Sequence, residues 1–191
     1  MESINSLIRK KGALLGILLG LILLVLKIAQ YYYITKTAPS FFMIAIGSNI
    51  ILLVFEIAAT ALFCYMLRGR IGGFWTFRQA VTGVFIMFAV VFIIQYLGYD
   101  VMLGKVIDKD LSTNIHTAWQ NANLETLKHG ENPKIVKQRE GYIDDTYASQ
   151  QKVGSIKYII QNLLFVVILI FVISLVFAAL FKREPPPEVT S

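Results

Sequence analysis

Residues 12–33, GALLGILLGLILLVLKIAQYYY, form a long apolar run that follows Arg9, Lys10 and Lys11 and closes on Tyr31, Tyr32 and Tyr33. A bilayer is the solvent that suits this combination, because a hydrocarbon core about 30 Å thick needs about 20 helical residues to cross it. Basic residues before the run and tyrosines after it match the two interfaces of such a helix. Gly12, Gly16 and Gly20 recur every fourth residue, the small-residue spacing that lets another helix approach closely. Lys27 follows Gly20 by two helical turns and so falls close to the same face. One side of this helix is therefore expected to meet protein, with glycines toward its start and an amine toward its end.

The run also has the form of a signal peptide, with Lys10 and Lys11 as the basic region. The sequence after Leu26, Lys27-Ile28-Ala29-Gln30-Tyr31, offers no small-x-small cleavage site, so a retained anchor is expected. Composition extends the argument to the whole chain. Of 191 residues, 56% are hydrophobic and 16% are charged, against about 45–50% and about 25% in soluble domains. The excess falls in four blocks, expected as spans over about 12–33, 41–67, 76–103 and 155–181 of a single integral membrane domain. The net charge of +6 does not point to nucleic acid, since the positives flank apolar segments, where they set orientation. The single cysteine, Cys64, lies inside an apolar block and has no intrachain partner.

Between the first two spans, TKTAPS supplies Pro39 as a breaker and Ser40 as an N-cap. Arg68 to Gly73 is a basic turn, and Phe74, Trp75 and Phe77 are expected as an aromatic girdle beside it. Thr76 and Gln79 fit a capping box opening the third span. Basic residues concentrate on one side: Arg9, Lys10, Lys11, Arg68, Arg70, Arg78, Lys182 and Arg183, against Lys36 in the opposite short loop. This bias puts both termini in the cytoplasm, with a cytoplasmic proline-rich tail over 184–191. The polar segment of about 105–154 then lies outside. Within it, 110–128 carries Leu111, Ile115, Trp119 and Ala122 at helical spacing and stops at Gly130. Asn132-Pro133 starts a second helix presenting Val136, Arg139, Tyr142, Ile143 and Tyr147. The expected fold is thus all-α: a four-span transmembrane bundle with an extracytoplasmic amphipathic helical hairpin between spans three and four. Ile115, Trp119, Tyr142 and Ile143 are its contact residues, free to pack together, rest on headgroups or dock a partner.

Several stretches together resemble a family of small bacterial membrane proteins, domain of unknown function 4199. Gly73 to Ala80, GFWTFRQA, is similar to that family's glycine-x-x-(Ser/Thr)-Phe-x-x-Ala start of the third span. Val106 to Asp110, VIDKD, resembles its Phe-Ile-Asp-Pro-Asp stretch, with Lys109 where a proline is common. The helix–Gly130–helix segment and the final Ile173-Ser174-Leu175-Val176 followed by Lys182 fit as well. The resemblance implies a four-span inner-membrane protein and, because the family has no established activity, lends no catalytic residues.

Polar residues inside apolar spans are the sharpest functional candidates, since each charge near the bilayer centre costs about 2.5–3.5 kcal/mol on insertion scales. Lys27 and Glu56 are expected at nearby depths, with Gln95 and Asn49 completing an intramembrane cluster. Either Lys27 pairs with Glu56, or Lys27 snorkels toward the tyrosines while a protonated Glu56 bonds Thr60 or Asn49. Such a cluster locks helix register or serves as an ion or proton relay. The spans contain no mid-helix breaker and the halves show no repeat, which argues against a transporter built on broken helices. His116 and His129 lie far apart without a cysteine nearby, so neither a metal nor a cofactor is expected. No nucleophile triad, phosphate loop or dinucleotide fingerprint occurs, and an enzyme is not expected. The leading expectation is a non-enzymatic accessory or structural subunit of the inner membrane, meeting another membrane protein or a second copy of itself through the glycine ladder and the hairpin. The rival is a small channel, transporter or ion-coupled component using Lys27, Glu56 and Gln95.

Overall fold

The structure, a computed structural model, describes residues 3–37, 40–151 and 156–183, with side chains left out at 150, 151 and 156–162. The expectations for Pro39, for the start of the last span at Ser155 and for the tail over 184–191 lie outside the described residues. The chain is all-helical, with helices α1 (Ile4–Lys36), α2 (Ile51–Arg70), α3 (Phe77–Gln95), α4 (Leu111–Lys128), α5 (Pro133–Gln151) and α6 (Ile156–Phe181). Two π-helical stretches adjoin them, Met43–Ile50 leading into α2 and Tyr96–Ile107 extending α3. Four helical segments are long and apolar enough to cross a membrane: Ile4–Lys36, Met43–Arg70, Phe77–Ile107 and Leu163–Phe181. Large apolar side chains stand exposed along them, among them Val25, Val54, Ile57, Leu164 and Leu180. Exposed apolar side chains along helices of this length suit a lipid solvent. The chain is a multi-pass membrane protein.

Local signals explain most helix ends. Ser40 Oγ accepts from Met43 N at 3.4 Å, as an N-cap should. Thr76 and Gln79 form the reciprocal box, with Thr76 N donating to Gln79 Oε1 at 2.9 Å and Gln79 N to Thr76 Oγ1 at 3.4 Å. α4 stops at Gly130, whose φ of 83° an L side chain rarely adopts. There Glu131 N donates to Thr126 O and Gly130 N to Leu127 O, the Schellman closure. Asn132 Oδ1 then accepts from Lys134 N at 2.9 Å, with Pro133 at the first position of α5. Asp110 sits at the N-cap of α4 without a side-chain bond to the helix.

The π-helical stretches are the main departure from the expected spans. Widening the turn to i→i+5 is uncommon and favours functional or strained places. Both stretches carry glycine or small polar residues, Gly47, Ser48 and Asn49 in one and Gly98 and Gly104 in the other. Ser48 Oγ returns its hydrogen to Ile44 O at 2.6 Å, which competes with the regular ladder.

The chain divides into two compact units, Met1–Ile22 with Ile57–Gln95 and Leu163–Ser191, and Leu23–Glu56 with Tyr96–Asn162. In the first, α1 lies on α3 through its small residues. A Cβ on Gly12 would stand 2.8 Å from Gly83 O, and one on Gly16 2.7 Å from Met87 O. Ile8, Leu15 and Leu19 are buried along the same side of α1. Trp75 is also interior rather than part of a girdle. It is 1% exposed, its indole donates to Phe181 O at 2.8 Å, and its backbone N donates to Arg183 O at 2.8 Å. A buried indole needs such an acceptor, and the end of α6 supplies one. Phe74 and Phe77 remain exposed.

Candidate functional site

In the second unit, Ile34 of α1, Ile44 of the first π-helical stretch and Ala122 of α4 form a small core, with Phe41, Ala118 and Trp119 against it. α4 and α5 are held side by side partly by Asn123, whose buried amide donates to Val136 O at 2.9 Å. Val136 and Ile143 are the buried apolar positions of α5. Beside this core lies a groove of about 670 Å³. Its walls come from Phe41, Ala45 and Asn49 at the start of the second span, from Ile115, His116 and Trp119 of α4, and from Arg139, Tyr142, Ile143 and Tyr147 of α5. All four expected hairpin contact residues, Ile115, Trp119, Tyr142 and Ile143, thus line one groove, although Tyr142 is 75% exposed.

The groove has an apolar floor and a polar rim. Phe41 and Trp119 meet edge to face, with centroids 5.6 Å apart. The Arg139 guanidinium lies over the Phe41 ring, 4.6 Å from its centroid. Its Nη1 stands 3.5 Å from Glu131 Oε2, yet this buried atom has no hydrogen-bond acceptor among the described residues. His116 donates from Nε2 to Asp144 Oδ1 at 2.8 Å, and Gln120 donates to the same oxygen at 2.9 Å. The His116 ring stacks on Tyr147 at 4.2 Å, and the Tyr147 hydroxyl is 3.2 Å from Thr113 Oγ1. These contacts fix the azimuth of α5 on α4, and so the aim of Arg139.

A second polar constellation ties α1 to the start of the hairpin. The hydroxyl of buried Tyr31 donates to Asp108 Oδ2. Asn114 Nδ2 reaches Tyr31 Oη and both Asp108 oxygens at 3.3 Å, and Asp110 N donates to Asp108 Oδ1 at 3.1 Å. Asp108 therefore gathers donors from three segments, and it is the central residue of the VIDKD stretch.

Gln95 belongs to the first unit, where Nε2 donates to Gly20 O at 3.1 Å. Lys27, Asn49 and Glu56 belong to the second. Asn49 accepts from Gln30 Nε2 at 3.0 Å, while the same amide donates to Ser48 O at 2.9 Å. Lys27 Nζ lies over the Tyr99 ring, 4.6 Å from its centroid. Among the described residues no ion pair joins Lys27 to Glu56 and no hydrogen bond joins Glu56 to Thr60 or Asn49. Gly12, Gly16 and Gly20 face α3 within the chain, so this face is already filled. Gln30, Tyr31, Asp108, Asn114 and Arg139 carry the polar geometry without having been singled out as a site. Arg139 on an amphipathic helix and Asp108 in VIDKD were the visible signals.

Among the described residues no three of His, Cys, Asp and Glu stand together as a metal site would require. Outside the spans, the Glu125 carboxyl is held below its ordinary range by the hydrogen bond from Lys128 Nζ at 2.8 Å. Comparison with curated proteins and with solved structures returns no match for the chain. A family model does match, over residues 14–183, from within the first apolar segment through the other three and the hairpin. The chain belongs to the family described as protein of unknown function (DUF4199).

Proposed function

We propose that the chain is a non-enzymatic accessory subunit of the bacterial inner membrane, with both termini cytoplasmic and the α4–α5 hairpin outside, acting through contacts of that hairpin. The observation that supports this reading is the surface flanking the Gly130 turn. Leu124, Leu127 and Ile135 are exposed there, outside the four apolar segments. Apolar side chains held out on a rigid hairpin suit a protein partner. Purification from membranes in mild detergent tests it. A stoichiometric partner that is lost from a folded Leu124→Ser/Leu127→Ser/Ile135→Ser variant is expected. A partner retained by that variant, or a lone chain, contradicts the reading.

A second reading, an ion-coupled component, has the π-helical stretches behind it. The first leads into α2, which carries Glu56, and the second carries Tyr99, whose ring lies against Lys27 Nζ, and such irregular turns favour functional places. A Glu56→Cys chain lacking Cys64 decides it. Labelling of that cysteine by a charged thiol reagent in intact membranes supports a hydrated pathway, and protection removes it.

A further inference from the structure

We propose that the groove between the hairpin and the start of the second span binds one anionic phospholipid, its phosphate against Arg139 and an acyl chain over Phe41, Ala45 and Trp119. The volume of about 670 Å³ falls within the range of small-molecule sites, about 300–1,000 Å³. What identifies the occupant is the conjunction of apolar lining with an arginine whose Nη1 has no hydrogen-bond acceptor. Arg139 Nη1 is buried without a hydrogen bond, and Glu131 at 3.5 Å balances its charge without accepting from it. A phosphate offers the paired oxygens that a guanidinium fork matches. Asp144, whose Oδ1 is engaged by His116 and Gln120, does not line the groove.

The second argument is access. Phe41 and Ala45 line the groove, while their chain neighbours Phe42 and Ile46 are exposed apolar residues on a helix that continues into a span. The groove wall is thus continuous with lipid-facing surface, at the end of a span where headgroups lie. A phospholipid reaches it sideways without leaving the bilayer, and bilayer lipid is present at high local concentration. A soluble anion would leave the apolar floor uncovered. The proposal is independent of a protein partner at the Gly130 turn, and either can fail alone.

Trp119 lines the groove and serves as the reporter. The full chain in a neutral detergent is titrated with brominated phosphatidylglycerol or brominated phosphatidylcholine, and tryptophan fluorescence is read. Phosphatidylglycerol is expected to quench at roughly tenfold lower concentration, because both lipids offer Arg139 a phosphate but only phosphatidylcholine brings a trimethylammonium charge that the guanidinium repels. That preference is expected to vanish in Arg139→Gln, to persist in weakened form in Arg139→Lys, and to be invisible in Trp119→Phe, where Trp75 alone reports. Circular dichroism establishes that each variant is folded, and Ala45→Leu, which narrows the groove from the other wall, is expected to weaken quenching by both lipids. Equal quenching by the two lipids, or a preference that survives in Arg139→Gln or Trp119→Phe, overturns the proposal. So does displacement of the brominated lipid by inorganic phosphate alone, which would make this a site for free anions.

Discussion

Gly12 and Gly83 face one another so closely that a Cβ on Gly12 would lie 2.8 Å from the Gly83 carbonyl oxygen. The obstacle is backbone, which cannot rotate aside as a side chain can. Gly16 repeats the relationship one turn later against Met87 O at 2.7 Å. In lipid, where apolar side chains gain nothing by leaving solvent, such close approach is what joins helices. Gly16→Val is therefore expected to cost about 1–3 kcal/mol through overpacking, read as a lowered unfolding midpoint in detergent. Gly69→Ala, with open space around it, is expected to leave the midpoint unchanged or raise it slightly. Equal effects at the two positions would contradict the packing.

The Tyr31–Asp108 bond joins residues 77 positions apart, and Asn114 supports both. Removing the hydroxyl in Tyr31→Phe is expected to cost about 1.5–3 kcal/mol, as for hydrogen bonds to a charged group. Asp108→Asn is expected to cost a similar amount, and the double variant little more than either single one. Unfolding midpoints of the three variants measure this, and additive losses would show that the two residues act separately.

Lys27 has an aromatic partner. A double-mutant cycle between Lys27→Met and Tyr99→Leu is expected to give a coupling of about 0.5–2 kcal/mol. Lys27→Arg, which keeps a cation over the ring, is expected to retain most of it. A larger coupling of Lys27→Met to Glu56→Gln than to Tyr99→Leu would make the carboxylate the principal partner.

The lowered Glu125 carboxyl has a definite sign in its pH dependence. A folded value below the unfolded one stabilises above the unfolded value, and that contribution disappears as pH falls through the folded value. The pair with Lys128 is exposed, so salt screens it. In low salt at neutral pH, Glu125→Gln is expected to speed amide exchange modestly in the last turn of α4. The difference is expected to vanish on acidification or at high salt. A difference that persists in acid would assign the effect to something other than charge.

Much of this structure is local chemistry, and local chemistry is legible in sequence. Asn132-Pro133, Gly130, Ser40 and the Thr76–Gln79 box announce helix ends because their side chains act within a few residues. The glycine ladder announced a packed face, though not that α3 fills it. That Lys27 turns toward a tyrosine is one of the two alternatives legible in sequence; which tyrosine is not, because Tyr99 lies in the π-helical stretch Tyr96–Ile107, where the wider turn rotates each residue less than a 3.6-residue period assumes. The groove is not legible for another reason. Its polar aim depends on His116 meeting Asp144 and on Arg139 covering Phe41, contacts that only the docking of α5 creates.

The proposed orientation, with the Gly130 turn outside and the Arg70 turn in the cytoplasm, is the claim on which the functional reading depends. The direct measurement is labelling of single cysteines by a membrane-impermeant maleimide in intact bacterial cells, in a Cys64→Ser background. Glu131→Cys is expected to react from outside, and Arg70→Cys only after the membrane is opened. Reaction of both cysteines in intact cells, or of Arg70→Cys alone, would contradict it.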